Sequence, residues 1–315
     1  MIAQAMLLVT NNAIYQTRAN KTTKIGDLIN NSYRKKINFK GFIYFLEYFN
    51  QNIVFYKING IVLTKIKQIS FPQNLTIKFI NLFESNLGEL MVYYLYEQTN
   101  QPGIYIEYHN LSTNEESFIF DDQIKIDKIF ASCSLLESQY FVVTFPNDNI
   151  KKLIHFHDYQ WKIIASFRKS PGNEVIMQVI NNYVYIAIDS VLYRVTNSFK
   201  PTLVVDTIFE NKNIIGLTPC PSWHNNSNFY LLLNDGSLYS NNILNNNLTL
   251  VTKFPIKTYR ILTWQFINFY KNKLMITAQQ IEDNSKYNVF FFITEDKKIT
   301  IQKYANKFNI INIWG

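Results

Sequence analysis

The sequence predicts an all-β protein built from seven like units, each a sheet of four antiparallel strands. The first observation behind this is a recurrence. Short apolar runs are spread along all 315 residues: AMLLV (5–9), NIVFY (52–56), ELMVYY (89–94), YFVVT (140–144), YVYIAI (183–188), FYLLL (229–233) and KLMIT (273–277). Their central residues, Leu8, Val54, Val92, Val142, Ile186, Leu231 and Ile276, step by 46, 38, 50, 44, 45 and 45 positions. That period belongs to repeat architectures. The second observation is that every run is followed by turn residues and then by another strand-like segment.

In chain order, TNN (10–12) leads to AIYQT, ING (58–60) to IVLTKI, and QTNQPG (98–103) to IYIEY. FPNDN (145–149) leads to LIHFH, Asp189-Ser190 to VLYRV, NDG (234–236) to SLYSN, and IEDNSKYN (281–288) to VFFFI. Asn-Gly and Asp-Gly between apolar runs are strong hairpin signals, because both tolerate the positive φ of tight turns. A more polar strand follows, as in PTLVV (201–205), LTLVT (248–252) and ITIQK (299–303). A fourth apolar run then opens the next unit, as in KIFAS (128–132), NIIGL (213–217) and RILTW (260–264).

Four antiparallel strands per ~45 residues is the blade of a β-propeller. Runs such as YVYIAI are apolar on both faces, which suits strands held between neighbouring blades. A single domain over 1–315 is expected. The chain opens in the second strand of a unit and finishes with an unattached apolar strand, FNIINIWG (308–315). That last strand is expected to become the innermost strand of the blade begun by residues 5–29, removing an open sheet edge.

The layout resembles WD40-type propellers across essentially the whole chain. The Trp-Asp dipeptide that closes their third strand and the Gly-His that opens their repeat are both absent. The resemblance therefore implies an interaction platform and carries over no residue roles. Nine glycines exclude the kelch and regulator-of-condensation types, and NDGSLY (234–239) only resembles a sialidase Asp-box.

A hydrophobic fraction of 47% with 17% charged residues is that of a globular chain. With Gly 9 and Pro 8, the turns must lean on Asn, Asp and Ser. No apolar run reaches the ~18 residues of a membrane-spanning helix, and MLLV is too short for a signal peptide core. Two cysteines, Cys133 and Cys220, favour a reducing compartment, so an intracellular protein, cytoplasmic or nuclear, is expected.

Motifs of catalysis are missing: no G-x-S-x-G, G-x-G-x-x-G or P-loop occurs. His155 and His157 stand two apart in a strand and share a face, but zinc needs further ligands, and His109 and His224 fall on other units. His224 beside Trp223 reads as a packed loop. The expectation is a non-enzyme with no cofactor and no metal.

Charge is unevenly placed. Residues 18–67 hold ten cations against Asp27 and Glu47, a net +8, whereas 81–122 hold eight acids and no Lys or Arg. The expected function is a non-catalytic protein–protein interaction scaffold, a subunit of a larger assembly. One alternative is a ribonucleoprotein subunit that uses the basic 18–67 edge for RNA or an acidic partner. The other is an enzyme or sugar-binding protein centred on the propeller channel. Partner contacts are expected on the face that gathers the inter-unit loop Tyr33, Arg34, Lys35 and Lys36 with two long turns. Those turns supply Glu97 and Gln101 (97–103) and Glu282, Asp283, Lys286 and Tyr287 (281–288). Tyr and Arg are favoured binding anchors. Reversing Arg34, Lys35 and Lys36 to Glu is expected to weaken the partner complex and leave thermal stability nearly unchanged.

Overall fold

Alternating apolar residues, and turns that can take positive φ, give this chain strands and hairpins throughout. The computed structural model describes residues 6–18, 21–30, 32–85, 87–121, 124–135, 138–158, 160–167, 174–196, 201–220, 227–242, 247–254, 261–270, 273–282, 285–294, 298–305 and 310–314. Among these residues there are strands and turns but no helix, so none is long and apolar enough to cross a membrane. The strands form seven antiparallel sheets of four. The fold is a seven-bladed β-propeller, as the repeat predicts.

The first sheet has the order β28-β1-β2-β3, from β1 (Met6–Thr10), β2 (Ala13–Arg18), β3 (Lys21–Asp27) and β28 (Ile310–Trp314). The second is β4 (Tyr33–Phe39), β5 (Phe42–Phe49), β6 (Asn52–Asn59) and β7 (Val62–Ser70). The third is β8 (Leu75–Glu84), β9 (Leu90–Gln98), β10 (Gln101–Asn110) and β11 (Glu116–Asp121). The fourth is β12 (Lys128–Leu135), β13 (Ser138–Phe145), β14 (Asp148–His157) and β15 (Gln160–Ser166). The fifth runs from β16 (Val175–Ile180) through β17 (Tyr183–Ile188) and β18 (Val191–Thr196) to β19 (Thr202–Ile208). The sixth is β20 (Ile214–Pro219), β21 (Ser227–Leu233), β22 (Ser237–Asn242) and β23 (Leu248–Lys253). The seventh is β24 (Ile261–Tyr270), β25 (Lys273–Glu282), β26 (Ser285–Ile293) and β27 (Ile299–Ala305).

The expected joining of the chain's two end strands is present. β1 and β28 pair antiparallel, with Leu7 opposite Trp314 and Leu8 opposite Ile313. One element of the repeat is corrected. The sequence makes NIVFY the second strand of its unit, but it lies in β6, the third; the second is β5, FIYFLEYF. Both strands are buried at their centres, so apolar content cannot rank them. Taking Leu46 of β5 as the centre only exchanges the steps of 46 and 38, so the spacing does not reveal the substitution either.

The hairpin turns have the conformations their residues allow. Lys40 and Gly41 both have positive φ, as do Asn50 with Gln51 and Asn181 with Asn182. Two central residues of positive φ match the twist of a two-residue hairpin.

Contacts divide the chain into two units, Met1–Ala3 with Asn11–Lys169, and Gln4–Thr10 with Ser170–Gly315. In the first, Leu46, Phe55 and Ile53 of the second sheet pack on Val92, Tyr94 and Tyr96 of the third. The opposite face of the third sheet, with Tyr93, Leu95 and Ile106, packs on Phe141, Ile154 and Phe156 of the fourth. In the second unit, Tyr185 and Leu192 of the fifth sheet meet Phe229 and Leu231 of the sixth, whose Tyr230 and Leu238 face Ile276 and Phe291 of the seventh. Burial on both faces is why the middle strands carry apolar residues at every position.

Candidate functional site

The basic segment SYRKK does not form an inter-unit loop. Tyr33–Lys36 open β4, the first strand of the second sheet, which lies beside β8 of the third. The Tyr33 hydroxyl donates to the Ile80 carbonyl of β8 at 3.2 Å, and the Lys35 ammonium stands 5.9 Å from the centre of the Phe79 ring. Both lysines are half-buried. Burial lowers the Lys35 pKa, and it brings that of Lys36 down to about 8. Among the described residues, no carboxylate pairs with either lysine.

Arg34 is taken out of the expected binding surface altogether. In the β4–β5 ladder it stands opposite Glu47, and its Nε donates to Glu47 Oε1 at 2.9 Å. The two side chains are 7% and 0% exposed. The Arg34 Nη2 donates to the carbonyls of Asn11 and Ile29, and Ser32 Oγ and the Ile29 amide donate to Glu47. A fixed guanidinium with this many partners ties the segment before β4 to the second sheet and is not an open anchor.

The two long turns are not long. Thr99 and Asn100 alone connect β9 to β10, and residues 283–284 alone connect β25 to β26. Polar strand ends, such as Gln98 and Gln101, had the look of loop. Pro102 fits inside β10 because the register shifts between Gln101 and Tyr105, a bulge that relieves the missing amide. Glu97 is engaged by Lys78 at 3.0 Å, and Gln101 is exposed. Glu282 closes β25, while Lys286 and Tyr287 belong to β26, opposite Ile281 and Gln280. Asp283 lies outside the described residues, as do Trp223 and His224.

The basic segment is not one patch. Lys24 pairs with Asp27, Lys57 stands 3.8 Å from the centre of the Phe42 ring, Lys40 stands over Phe39, and Lys67 donates to Asn114 in the β10–β11 connection.

His155 and His157 do share a face, with ring centres 5.8 Å apart. His155 packs on Tyr140, and its Nε2 has no hydrogen-bond partner. Burial, then the neighbouring His157 and Lys162, brings its pKa down to about 4. A histidine with a folded pKa below its unfolded ~6.5 keeps its full contribution above pH ~6.5 and loses it as pH falls toward 4. His155→Phe should therefore flatten the loss of stability between pH 6.5 and 4.5, read from urea midpoints at the two values. An unchanged slope would show that His155 does not carry it.

A cluster missed at the sequence level lies on the third sheet, where His109 stands between Glu107 and Glu116. Among the described residues it is the one group of three His, Cys, Asp or Glu side chains whose ligand atoms converge, all within 4.8 Å of one another. The signal was present in the alternation Glu107-x-His109, but Glu116 joins it only once the β10–β11 register is known.

No protein-family model matches this chain, and no curated protein matches it. Solved structures do. A protein from Lactobacillus plantarum superposes with a TM-score of 0.59 at 12% identity, covering 98% of both chains. A functionally unknown protein from Desulfotomaculum acetoxidans gives 0.57 at 10% identity, over 97% of this chain and 96% of that one. Apo AztD from Citrobacter koseri gives 0.51 at 10% identity, over 98% and 96%. At these identities the likeness shows the propeller fold alone.

Proposed function

We propose that this chain is a non-catalytic interaction module, a subunit that holds partner proteins on the outer strands of its blades. The observation that carries the reading is the exposure of large apolar side chains on those strands. In the first unit, Val62 on β7 and Phe118 on β11 are 56% and 67% exposed, with Ile66 and Phe120 beside them in sequence on the same two strands. In the second unit, Val205 and Ile208 on β19 and Leu250 on β23 are open as well. β7, β11, β19 and β23 each end a sheet, so each also has a row of backbone groups without a strand neighbour. Exposed edges with apolar side chains are what natural monomers blunt, and strand addition by a partner satisfies both features at once.

This moves the expected contact from the loop face to the blade rim. With Arg34 held by Glu47 and one of the two turns reduced to Thr99 and Asn100, the loop face lacks its charged anchor. Dispersal of the basic residues gives the nucleic-acid reading no contiguous patch, and affinity for phosphates grows with the number neutralised together. The intracellular location expected from the two cysteines, which are free thiols, belongs to the same proposal.

The test replaces Val62 and Phe118 with Ser. Both side chains are largely solvated, so stability should move by no more than about 0.5 kcal/mol each. Quantitative crosslinking in cells of origin should show a partner attached to the native chain and lost from the double variant. An identical set of crosslinked proteins for both chains would overturn the rim assignment. Purification of the native chain as an isolated monomer, with no crosslinked partner, would overturn the subunit reading.

A further inference from the structure

The third sheet places a buried histidine nitrogen that makes no hydrogen bond beside a carboxylate oxygen. His109 follows Glu107 by two residues on β10 and lies opposite Glu116 on β11, so all three side chains leave one face of the sheet. The His109 Nε2 lies 2.8 Å from Glu107 Oε1 and 2.6 Å from the Tyr94 hydroxyl. An ionised carboxylate only accepts, so Nε2 carries a proton. In the neutral ring this leaves Nδ1 bare.

That nitrogen is buried, 2.8 Å from Glu116 Oε1, and makes no hydrogen bond. The contact is short, yet its direction is wrong for an N–H donated to the carboxylate. Two lone-pair atoms, one of them anionic, repel at this distance. A proton between them requires the alignment that the geometry lacks. A metal ion requires only that the ligand lone pairs converge on a point to one side of the line joining them.

We propose that His109 and Glu116, backed by Glu107, form a binding site for a divalent transition-metal ion of the zinc type. Imidazole nitrogen with carboxylate oxygen is a donor set suited to zinc. Tetrahedral bonds of about 2.0–2.1 Å place ligands about 3.3 Å apart, so the 2.8 Å pair needs to open by only about half an ångström. The Glu116 side chain is 56% exposed, which gives the ion a way in and leaves room for water at the remaining positions. Glu107 holds the far side of the ring, the arrangement by which a carboxylate fixes a metal-bound histidine's tautomer and orientation. Two carboxylates then match the charge of one divalent ion. This departs from the metal-free protein expected from the sequence.

The experiment strips the full chain with a chelator and titrates it calorimetrically with Zn²⁺, and with Mn²⁺ as a harder comparison ion. One Zn²⁺ per chain should bind, more tightly than Mn²⁺. Glu116→Gln, a change at an exposed side chain that should leave the fold intact, should weaken Zn²⁺ at least about tenfold, and Glu107→Gln about 10–100-fold. Joint replacement of His155 and His157 by Ala should change nothing. The assignment is overturned if the native chain binds no stoichiometric Zn²⁺. It is equally overturned if affinity survives Glu116→Gln, or if affinity disappears with His155 and His157.

Discussion

Arg34→Met should destabilise the protein by about 3–5 kcal/mol, because it leaves Glu47 as an uncompensated charge inside the second sheet. Glu47 is fully buried and receives Arg34 Nε, Ser32 Oγ and the Ile29 amide. Removing the guanidinium deletes the one positive charge in that set and also takes a donor away from the carbonyls of Asn11 and Ile29. Against a total stability of about 5–15 kcal/mol for a typical domain, this is a large fraction. The double variant Arg34→Met with Glu47→Leu should recover most of the loss, since an apolar pair of similar volume carries no desolvation penalty. Urea unfolding followed by tryptophan fluorescence measures both. A single-variant cost under about 1 kcal/mol would show that Glu47 finds another partner or takes up a proton. The triple reversal of Arg34, Lys35 and Lys36 to Glu therefore changes meaning. It is expected to unfold the second sheet, and a loss of binding in that variant says nothing about a surface.

The same pair shows where sequence reading stops. The propeller was legible because strands such as YVYIAI are apolar at every position, a pattern that only burial on both faces explains, and because their spacing holds near a constant value. β5 and β6 are both apolar and buried at their centres, so apolar content alone enters the second unit one strand late. The Lys40-Gly41 turn between β4 and β5 was the missed signal. Once it is placed, Arg34 falls opposite Glu47 by counting, and the cationic run becomes part of a strand. His109 and Glu116 come together in the same way, through the register of β10 and β11. Side-chain chemistry in a β-protein is written across strands, and a linear reading sees the residue types without the ladder that brings them together. The two supposed long turns failed for a related reason. Exposed strand ends carry the same Gln, Glu and Asn residues as loops, and only pairing distinguishes them.

Ending the chain at Lys307 should destabilise the fold severely and make the chain associate. The change removes β28, the antiparallel partner of β1, and leaves Leu7, Leu8 and Val9 on a strand with an open edge. All three are buried, and burial of each such side chain is worth about 1.5–3 kcal/mol. Their partial uncovering, with the loss of the ladder hydrogen bonds, is comparable to the whole stability of an ordinary domain. An unpaired apolar edge also templates association between copies. Light scattering should find aggregates or oligomers where the full chain gives one species, and the melting transition should drop or vanish. A synthetic peptide of residues 308–315 supplied in excess should restore both, because β28 reaches β1 by pairing across almost the whole length of the sequence and needs no covalent link to do so. A truncated chain that stays monomeric and melts as the full chain does would mean that β1 is held by the remaining strands alone, and that the β1–β28 ladder adds nothing to the fold.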